Sequence, residues 1–326
     1  MYLGSVTKSF QLFCDSLALE FDRPVGWAGA PAPTDHVALL SGYADATRLR
    51  NAFAFDAFAR LRPPVGDGPS AGPVSWTELF VNGEYAGVWE TVPRVKDTAG
   101  PACDALYKVR DARSLWKDGR DERIDRVDDV PSGEDPFAPY REAVRFVSGS
   151  DDLPFADRVF DLDELAAFLL LVNFTGNEDG RVNNQYLARR RSDGRWLVLP
   201  WDYDKAFRLG SFREFNRMNE LFERCLALVP GFRARVAALW ADRRRGSLSD
   251  GEIVRWFDSR RDFLAPYMEE EYRLVPPAGF KGSFAEGVDA VRDDALRRAS
   301  TYDGILSGFS KPRKDSAMES ADGQRR

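Results

Sequence analysis

Asn82-Gly83 stands between two β-rich stretches, residues 74–81 and 85–92, and this dipeptide suits the tight, positive-φ turn of a two-residue hairpin better than any other natural pair. A second reversal is written at Ser192-Asp193-Gly194, between the β-rich stretches 185–190 and 196–200. Two antiparallel hairpins argue against the alternating strand-helix pattern of a parallel nucleotide-binding sheet. A further strand is expected at 105–109, and an opening one within 8–19, where Phe10, Leu12 and Phe13 are β-formers. A Pro/Gly-rich connection, 23–34, should follow. Asp45 can cap a helix whose apolar face is Leu49, Ala52, Phe53 and Ala57, and Pro63-Pro64 stops it.

The charged stretch 111–135 lacks apolar periodicity and reads as a surface loop. From Pro136 onward the pattern turns helical. Asp161 with Glu164 three residues later forms a capping-box signature, the helix runs through Leu165, Phe168, Leu169 and Val172, and Gly176 supplies its C-terminal stop. Asn177-Glu178-Asp179-Gly180 then reads as a tight polar loop. Amphipathic helices are expected near 213–228, 231–244, 250–273 and 284–307. The fold class is therefore α+β, with a β-hairpin-rich lobe over 1–110, the loop 111–135, a mainly helical lobe over 136–310, and a tail over 311–326 that lacks bulky apolar groups and should be disordered.

Composition narrows the chemistry. Only one histidine, His36, is present, and it lies far in sequence from every acidic motif, so a histidine-based triad or a two-histidine metal site would need special pleading. Cys14, Cys103 and Cys225 are an odd number without C-x-x-C spacing and read as inert thiols, for which a reducing, cytoplasmic setting is the simpler expectation. No basic and apolar leader pattern opens the sequence, though an upstream segment would leave export open. No apolar run is long enough to span a bilayer. With 46 basic against 52 acidic residues and no strongly basic block, nucleic acid is not an expected partner. Nothing here fixes an oligomeric state.

The chemistry-bearing region is 176–204. A helix ends in an acidic loop, a hairpin returns the chain, and Trp201-Asp202-Tyr203-Asp204 closes it, which brings Asp179 and Asp202 together. Asp179 and Asn184 have the five-residue spacing of a protein-kinase catalytic loop, in which the Asp orients a substrate hydroxyl and the Asn binds metal, and a second metal-binding Asp follows a hairpin as Asp202 does here. Each element alone is common. The competing readings are a solvated turn at Asp179 and a solvent-facing strand end at Asp202 and Asp204, although Trp196 and Trp201 flank the acidic pair with partly buried surroundings.

The stretch Gly176-Asn177-Glu178-Asp179 through Asn184-Gln185-Tyr186-Leu187, followed by Trp196 and Pro200-Trp201-Asp202-Tyr203-Asp204, resembles the signature of the spore coat protein H (CotH) family of atypical protein kinases. Asn82-Gly83-Glu84-Tyr85 with Gly87 and Glu90, Asp45 with Leu49-Arg50-Asn51, and Leu106-Tyr107-Lys108 resemble three further blocks in the family's order, so the likeness covers most of 4–208. It implies a divergent protein-kinase-like fold that binds ATP and Mg²⁺ or Mn²⁺ and phosphorylates Ser or Thr on a protein substrate. Asp179 resembles the catalytic-loop Asp, Asn184 and Asp202 the metal ligands, and Asp204 the last acid of the motif. Trp196 matches an aromatic position suited to stacking on the purine, with core packing as the alternative. Lys8 and Lys108 are candidate phosphate contacts, with surface or structural roles as theirs. Two departures stand out: only Gly4-Ser5 and Lys8-Ser9-Phe10 match the family's opening strands, and Pro93 occupies a place usually held by Glu. A pseudokinase or binding module of the same fold is the alternative function. A D-x-D glycosyltransferase ranks below it for want of a parallel sheet, and a two-carboxylate glycoside hydrolase below that, given Asn184 in register.

Overall fold

The computed structural model describes residues 17–26, 33–42, 44–64, 68–69, 71–149, 153–208, 214–274, 277 and 280–309. Among the described residues the strands and helices divide into two four-stranded antiparallel sheets and a set of helices, which is the α+β architecture expected. The first sheet is built from β1 (Leu17–Val25), β2 (Thr34–Leu40), β3 (Ser75–Val81) and β4 (Glu84–Val92), in the order β1-β2-β4-β3. Asn82 at φ 53 and Gly83 at φ 86 make the β3–β4 turn, as two positive-φ residues must in a tight hairpin. β1 extends further into the Pro/Gly-rich segment than its composition suggests, and His36 lies within β2, its Nδ1 2.6 Å from Asp35. Lys8, Cys14 and the tail 311–326 fall outside the described residues.

The second sheet has the order β6-β5-β7-β8, from β5 (Cys103–Val109), β6 (Ile124–Arg126), β7 (Gln185–Arg190) and β8 (Trp196–Pro200). Strand β5 precedes residue 110, yet its hydrogen-bonding partner is β7, not a strand of the first sheet. A cut of the chain at 110 therefore passes through the second sheet. The loop expected over 111–135 also needs correction. It carries α3 (Leu115–Asp118), a 3-10 turn over 121–123 and β6, and it buries Leu115, Trp116 and Ile124. Its charges hid this, because Arg126 pairs with Asp128 and Arg141 with Asp121, which lets few apolar residues anchor a charged segment.

Helix α1 (Arg50–Leu61) belongs to the main core and is apolar nearly all round: Ala52, Phe53, Ala54, Phe55, Ala57, Phe58 and Leu61 are all buried. After α2 (Val95–Ala99) and α4 (Ala138–Ser148), the central helix α5 (Leu162–Thr175) packs on α1. Asp161 caps α5 as expected, accepting from the Asp163 and Glu164 amides. Glu164 does not complete the capping box, since its carboxylate forms a two-point ion pair with buried Arg62 at 2.6 and 2.9 Å. The expected loop at 177–180 is a single helical turn, α6 (Glu178–Val182). Helices α7 (Glu220–Leu228), α8 (Phe232–Arg245), α9 (Asp250–Leu274) and α10 (Phe284–Ser307) complete the helical side. Cys103 and Cys225 are buried, free thiols, both pushed up to about 12 by burial. Among the described residues no helix is long and apolar enough to cross a membrane.

A buried ion pair ties the first sheet to α9. Upstream of Glu90, β4 has no strand on its β2 side among the described residues, and the Val88 peptide is satisfied there by side chains instead. Its N–H donates to Glu271 at 2.6 Å and its carbonyl accepts from Arg48 at 3.1 Å, while Arg48 and Glu271 pair with each other at 2.6 Å. Glu271 is only 4% exposed, so removing either partner would strand a charge out of water.

Candidate active site

The end of α5 sets the site. Gly176, at φ 62, closes the helix in the left-handed conformation, and a side chain there would collide with Arg298, whose guanidinium reaches across from α10 to the Phe174 and Asn173 carbonyls at 2.5 and 2.8 Å. Asn177 then opens the turn α6. The Asp179 carbonyl accepts from the Asn183 and Asn184 amides at 2.9 and 2.8 Å, which fixes Asn184 to Asp179 before the chain enters β7. On the return of the hairpin the Trp201 amide donates to the Asn184 carbonyl at 3.1 Å, and the Asn184 side-chain amide donates to the Asp202 carbonyl at 2.9 Å. Asp179, Asn184 and Asp202 are thereby brought to one end of the second sheet by short, mostly backbone links. Asn184 spends its Nδ2 on Asp202, which leaves its Oδ1 available to a ligand.

The segment 202–207 is held at several points. Asp202 at φ 54 and Phe207 at φ 53 both sit in the left-handed region, uncommon for an Asp and strained for a Phe. Helix α1 supplies the restraint. Asn51, fully buried, accepts from the Tyr203 amide at 2.9 Å through Oδ1 and donates to Glu90 at 2.9 Å through Nδ2. Arg50 donates to the Ala206 and Phe207 carbonyls at 2.6 and 2.7 Å, and the Phe207 amide donates to the Thr175 carbonyl at 2.8 Å. Asp45 orients Arg50 in turn, accepting its backbone amide at 2.8 Å and lying 3.3 Å from its Nε. The Asp45, Arg50 and Asn51 block thus acts as a brace for the D-Y-D segment. Tyr203 is buried with its hydroxyl against Gly180, where a Cβ would come within 2.6 Å of it, so glycine is required beside Asp179.

Charge accumulates here. Burial and the neighbouring Asp179 hold the Asp202 carboxyl above its ordinary range, against the opposing pull of Lys205 and Lys108. Asp204 is pushed up to about 7, by burial first and by Asp202 next. Glu90, fully buried behind Asp204 and Asp45, is raised well above the usual carboxylate range by burial, and its Oε1 has no hydrogen-bond partner among the described residues. Lys205 answers part of this charge, its ammonium 2.7 Å from Asp179. The Lys108 side chain, on β5, makes no hydrogen bond or ion pair among the described residues while its charge reaches Asp202. Among the described residues no three His, Cys, Asp or Glu side chains converge closely enough to hold a metal ion unaided.

Trp196 is elsewhere. It begins β8, roughly 13 Å of strand from Pro200 at 3.3 Å per residue, and it is 4% exposed with its indole stacked on Tyr107 at 6.0 Å and 26°. Side chains directly across a strand pair share a face, so Lys108, Tyr186 and Leu199 lie together, and Trp196, three residues from Leu199, points to the other face. The two expected nucleotide contacts therefore cannot grip the same end of a ligand. A cavity of about 490 Å³ lined by Glu142, Phe146, Arg158, Arg189 and Asp193 reaches the Trp196 edge.

Arg50, Asn51, Glu90 and Lys205 were not singled out as site residues by sequence reasoning. Lys205 alone carried a local signal, since it directly follows the D-x-D. The others come from far along the chain: Asn51 and Arg50 lie 152 and 157 residues from the Tyr203 and Phe207 that they hold, and Glu90 joins through Asn51, 39 residues from it.

A family model described as "CotH kinase protein" matches residues 5–302. The inner spore coat protein H of Bacillus subtilis (strain 168) is 23% identical over 224 residues, which cover 63% of this chain and 58% of that protein. The chain thus spans less than two thirds of the length of this relative.

Proposed function

Because the chain belongs to the CotH kinase family, we propose that it transfers the γ-phosphoryl group of ATP to a Ser or Thr hydroxyl of a protein substrate at the Asp179–Asn184–Asp202 centre. The observation that supports this reading is the linkage of those three residues through the Asp179 carbonyl and the Asn184 side chain, an arrangement in which the Asp179 carboxylate stands beside two oxygen donors. The half-exposed Asp179 carboxylate orients the acceptor hydroxyl and takes its proton. Asn184 Oδ1 and the Asp202 carboxylate, with Asp204 behind them, form an all-oxygen donor set, which suits Mg²⁺ or Mn²⁺ and not a soft metal. Such an ion, when bound, neutralises charge on the phosphates. Its remaining ligands would come from phosphate oxygens and water, in keeping with the small number of protein donors.

Lys108 is proposed to face the phosphates from β5, near Asp202. Trp196 is better read as core packing than as the purine contact of that nucleotide, because it stacks on Tyr107 on the face of the second sheet opposite Lys108. A metal-dependent glycosyltransferase is disfavoured because both sheets are antiparallel, whereas nucleotide-sugar sites of that type use a parallel sheet.

Calorimetric titration with ATP, with and without Mg²⁺, tests the reading. The expected outcome is binding that depends on the cation and weakens in Asp202→Asn. A folded wild-type chain that gives no heat and no thermal shift at millimolar Mg²⁺-ATP would sink it.

A further inference from the structure

Lys205 is a lysine among acids at the mouth of this site. Its Nζ lies 2.7 Å from Asp179 Oδ2, and its charge acts on Asp202 and Asp204 as well. Its backbone is not free to drift, because Tyr203 on one side is held by Asn51 and the Ala206 and Phe207 carbonyls on the other by Arg50. The side chain is 46% exposed, and an exposed ion pair of this kind contributes little to stability. Stability does not account for a cation here.

Position does. A transferring phosphoryl group must pass between the carboxylate that faces the acceptor hydroxyl and the residues that hold the metal, and Lys205 is the cation that bridges those two sides. We propose that Lys205 is a catalytic residue whose ammonium leaves Asp179 to hydrogen-bond a γ-phosphoryl oxygen of bound ATP. The proposal rests on the kinase reading above. A compact ammonium on a flexible stem suits this role as a point charge on phosphate.

The same movement releases Asp179. While Lys205 occupies its Oδ2, that oxygen is turned toward a cation and not toward an acceptor. Once the ammonium has gone to the phosphate, Asp179 accepts the proton of the Ser or Thr hydroxyl. The acceptor oxygen forms its bond to the γ-phosphorus, the bond from that phosphorus to the β,γ-bridging oxygen breaks, and ADP leaves with the electron pair. Lys205 keeps its proton throughout and gains a hydrogen bond as charge develops on the equatorial oxygens. The pair is thereby an interlock in which nucleotide arrival frees the proton acceptor.

The test compares ATP with ADP, since only ATP carries the γ-phosphoryl group. Full-length wild type, Lys205→Met and Lys205→Arg are titrated with each nucleotide in Mg²⁺ by calorimetry, and transfer to a Ser/Thr-containing protein is followed at saturating ATP. Lys205→Met is expected to weaken ATP about tenfold or more, the weight of one hydrogen bond to a charged group, while ADP affinity stays unchanged. Its turnover should fall about a hundredfold to a thousandfold, the usual cost of one donor to a developing oxyanion. Lys205→Arg should recover part of the ATP preference, which a purely structural role would not predict. Equal weakening of ATP and ADP, or wild-type turnover in Lys205→Met, overturns the assignment and leaves the kinase reading intact. A wild-type chain that binds neither nucleotide overturns both. The exposure of the side chain means that the variants should fold, and circular dichroism with a melting curve verifies this.

Discussion

Asn51→Ala removes two hydrogen bonds at once, and both partners are buried. The Tyr203 amide loses its acceptor at 2.9 Å and the Glu90 carboxylate loses its donor at 2.9 Å, with Asn51 itself fully buried and Glu90 1% exposed, so water cannot readily replace either. An unsatisfied buried polar group costs about 1–3 kcal/mol, and the two together should cost roughly 2–5 kcal/mol. The upper end is limited because Glu90 can take up a proton, its carboxyl already being raised by burial. Urea unfolding followed by tryptophan fluorescence should show a lower midpoint with an unchanged slope. The Glu90→Gln background separates the two contributions. There the group left behind is neutral, so Asn51→Ala should destabilise less, by a coupling in the range of about 0.5–3 kcal/mol. A loss below about 1 kcal/mol would refute the view that α1 braces the D-Y-D segment through this side chain, and the same loss in both backgrounds would refute the contribution assigned to Glu90.

Glu271→Ala strands Arg48 between β4 and α9 and should cost about 3–5 kcal/mol in urea unfolding, the penalty for breaking a buried pair; a loss under about 1 kcal/mol would mean that water reaches Arg48. The acids of the site also set a pH dependence. Asp204 is raised to about 7, chiefly by burial, so the folded state holds that proton more tightly than the unfolded chain does. Its contribution to stability is therefore fully present below the unfolded carboxyl pKa of about 4 and is lost as pH rises through 7, and Asp202, Glu90 and Glu271, all raised by burial, act in the same direction. The melting temperature of the metal-free protein should rise from about pH 8 to about pH 6, and less so in Asp204→Asn. A flat or falling curve over that interval would contradict the burial of these carboxyls.

Local signals were legible in the sequence, and pairings between distant segments were not. Asn82-Gly83 and Ser192-Asp193-Gly194 located both hairpins because a turn is decided by the residues that make it. The long amphipathic helices α9 and α10 were legible for the same reason. Asp179, Asn184 and Asp202 could be brought together on paper because one hairpin joins them. Strand β5, by contrast, follows the first sheet in the chain and pairs with β7, some 80 residues on, a choice no local pattern encodes. Glu164 carries the signature of a capping box, yet a buried guanidinium 102 residues away claims its carboxylate. The segment 111–135 hides buried Trp116 among charges that neutralise one another. Asn51 and Arg50 belonged to a recognised block, but their task became visible only when α1 was found against the segment 202–207.

The central claim is phosphoryl transfer with divided roles for the two aspartates. Its most direct test is the intact mass of a Ser/Thr-containing protein substrate, and of the chain itself, after incubation with Mg²⁺-ATP and wild type, Asp179→Asn or Asp202→Asn, alongside calorimetric nucleotide affinity for each. Wild type should add phosphoryl groups. Asp179→Asn should lose transfer by orders of magnitude while keeping its affinity for Mg²⁺-ATP, because its interaction is made on the way to the transition state. Asp202→Asn should lose both together. Wild-type transfer by Asp179→Asn, or loss of nucleotide binding in that variant to the extent seen in Asp202→Asn, would contradict the account.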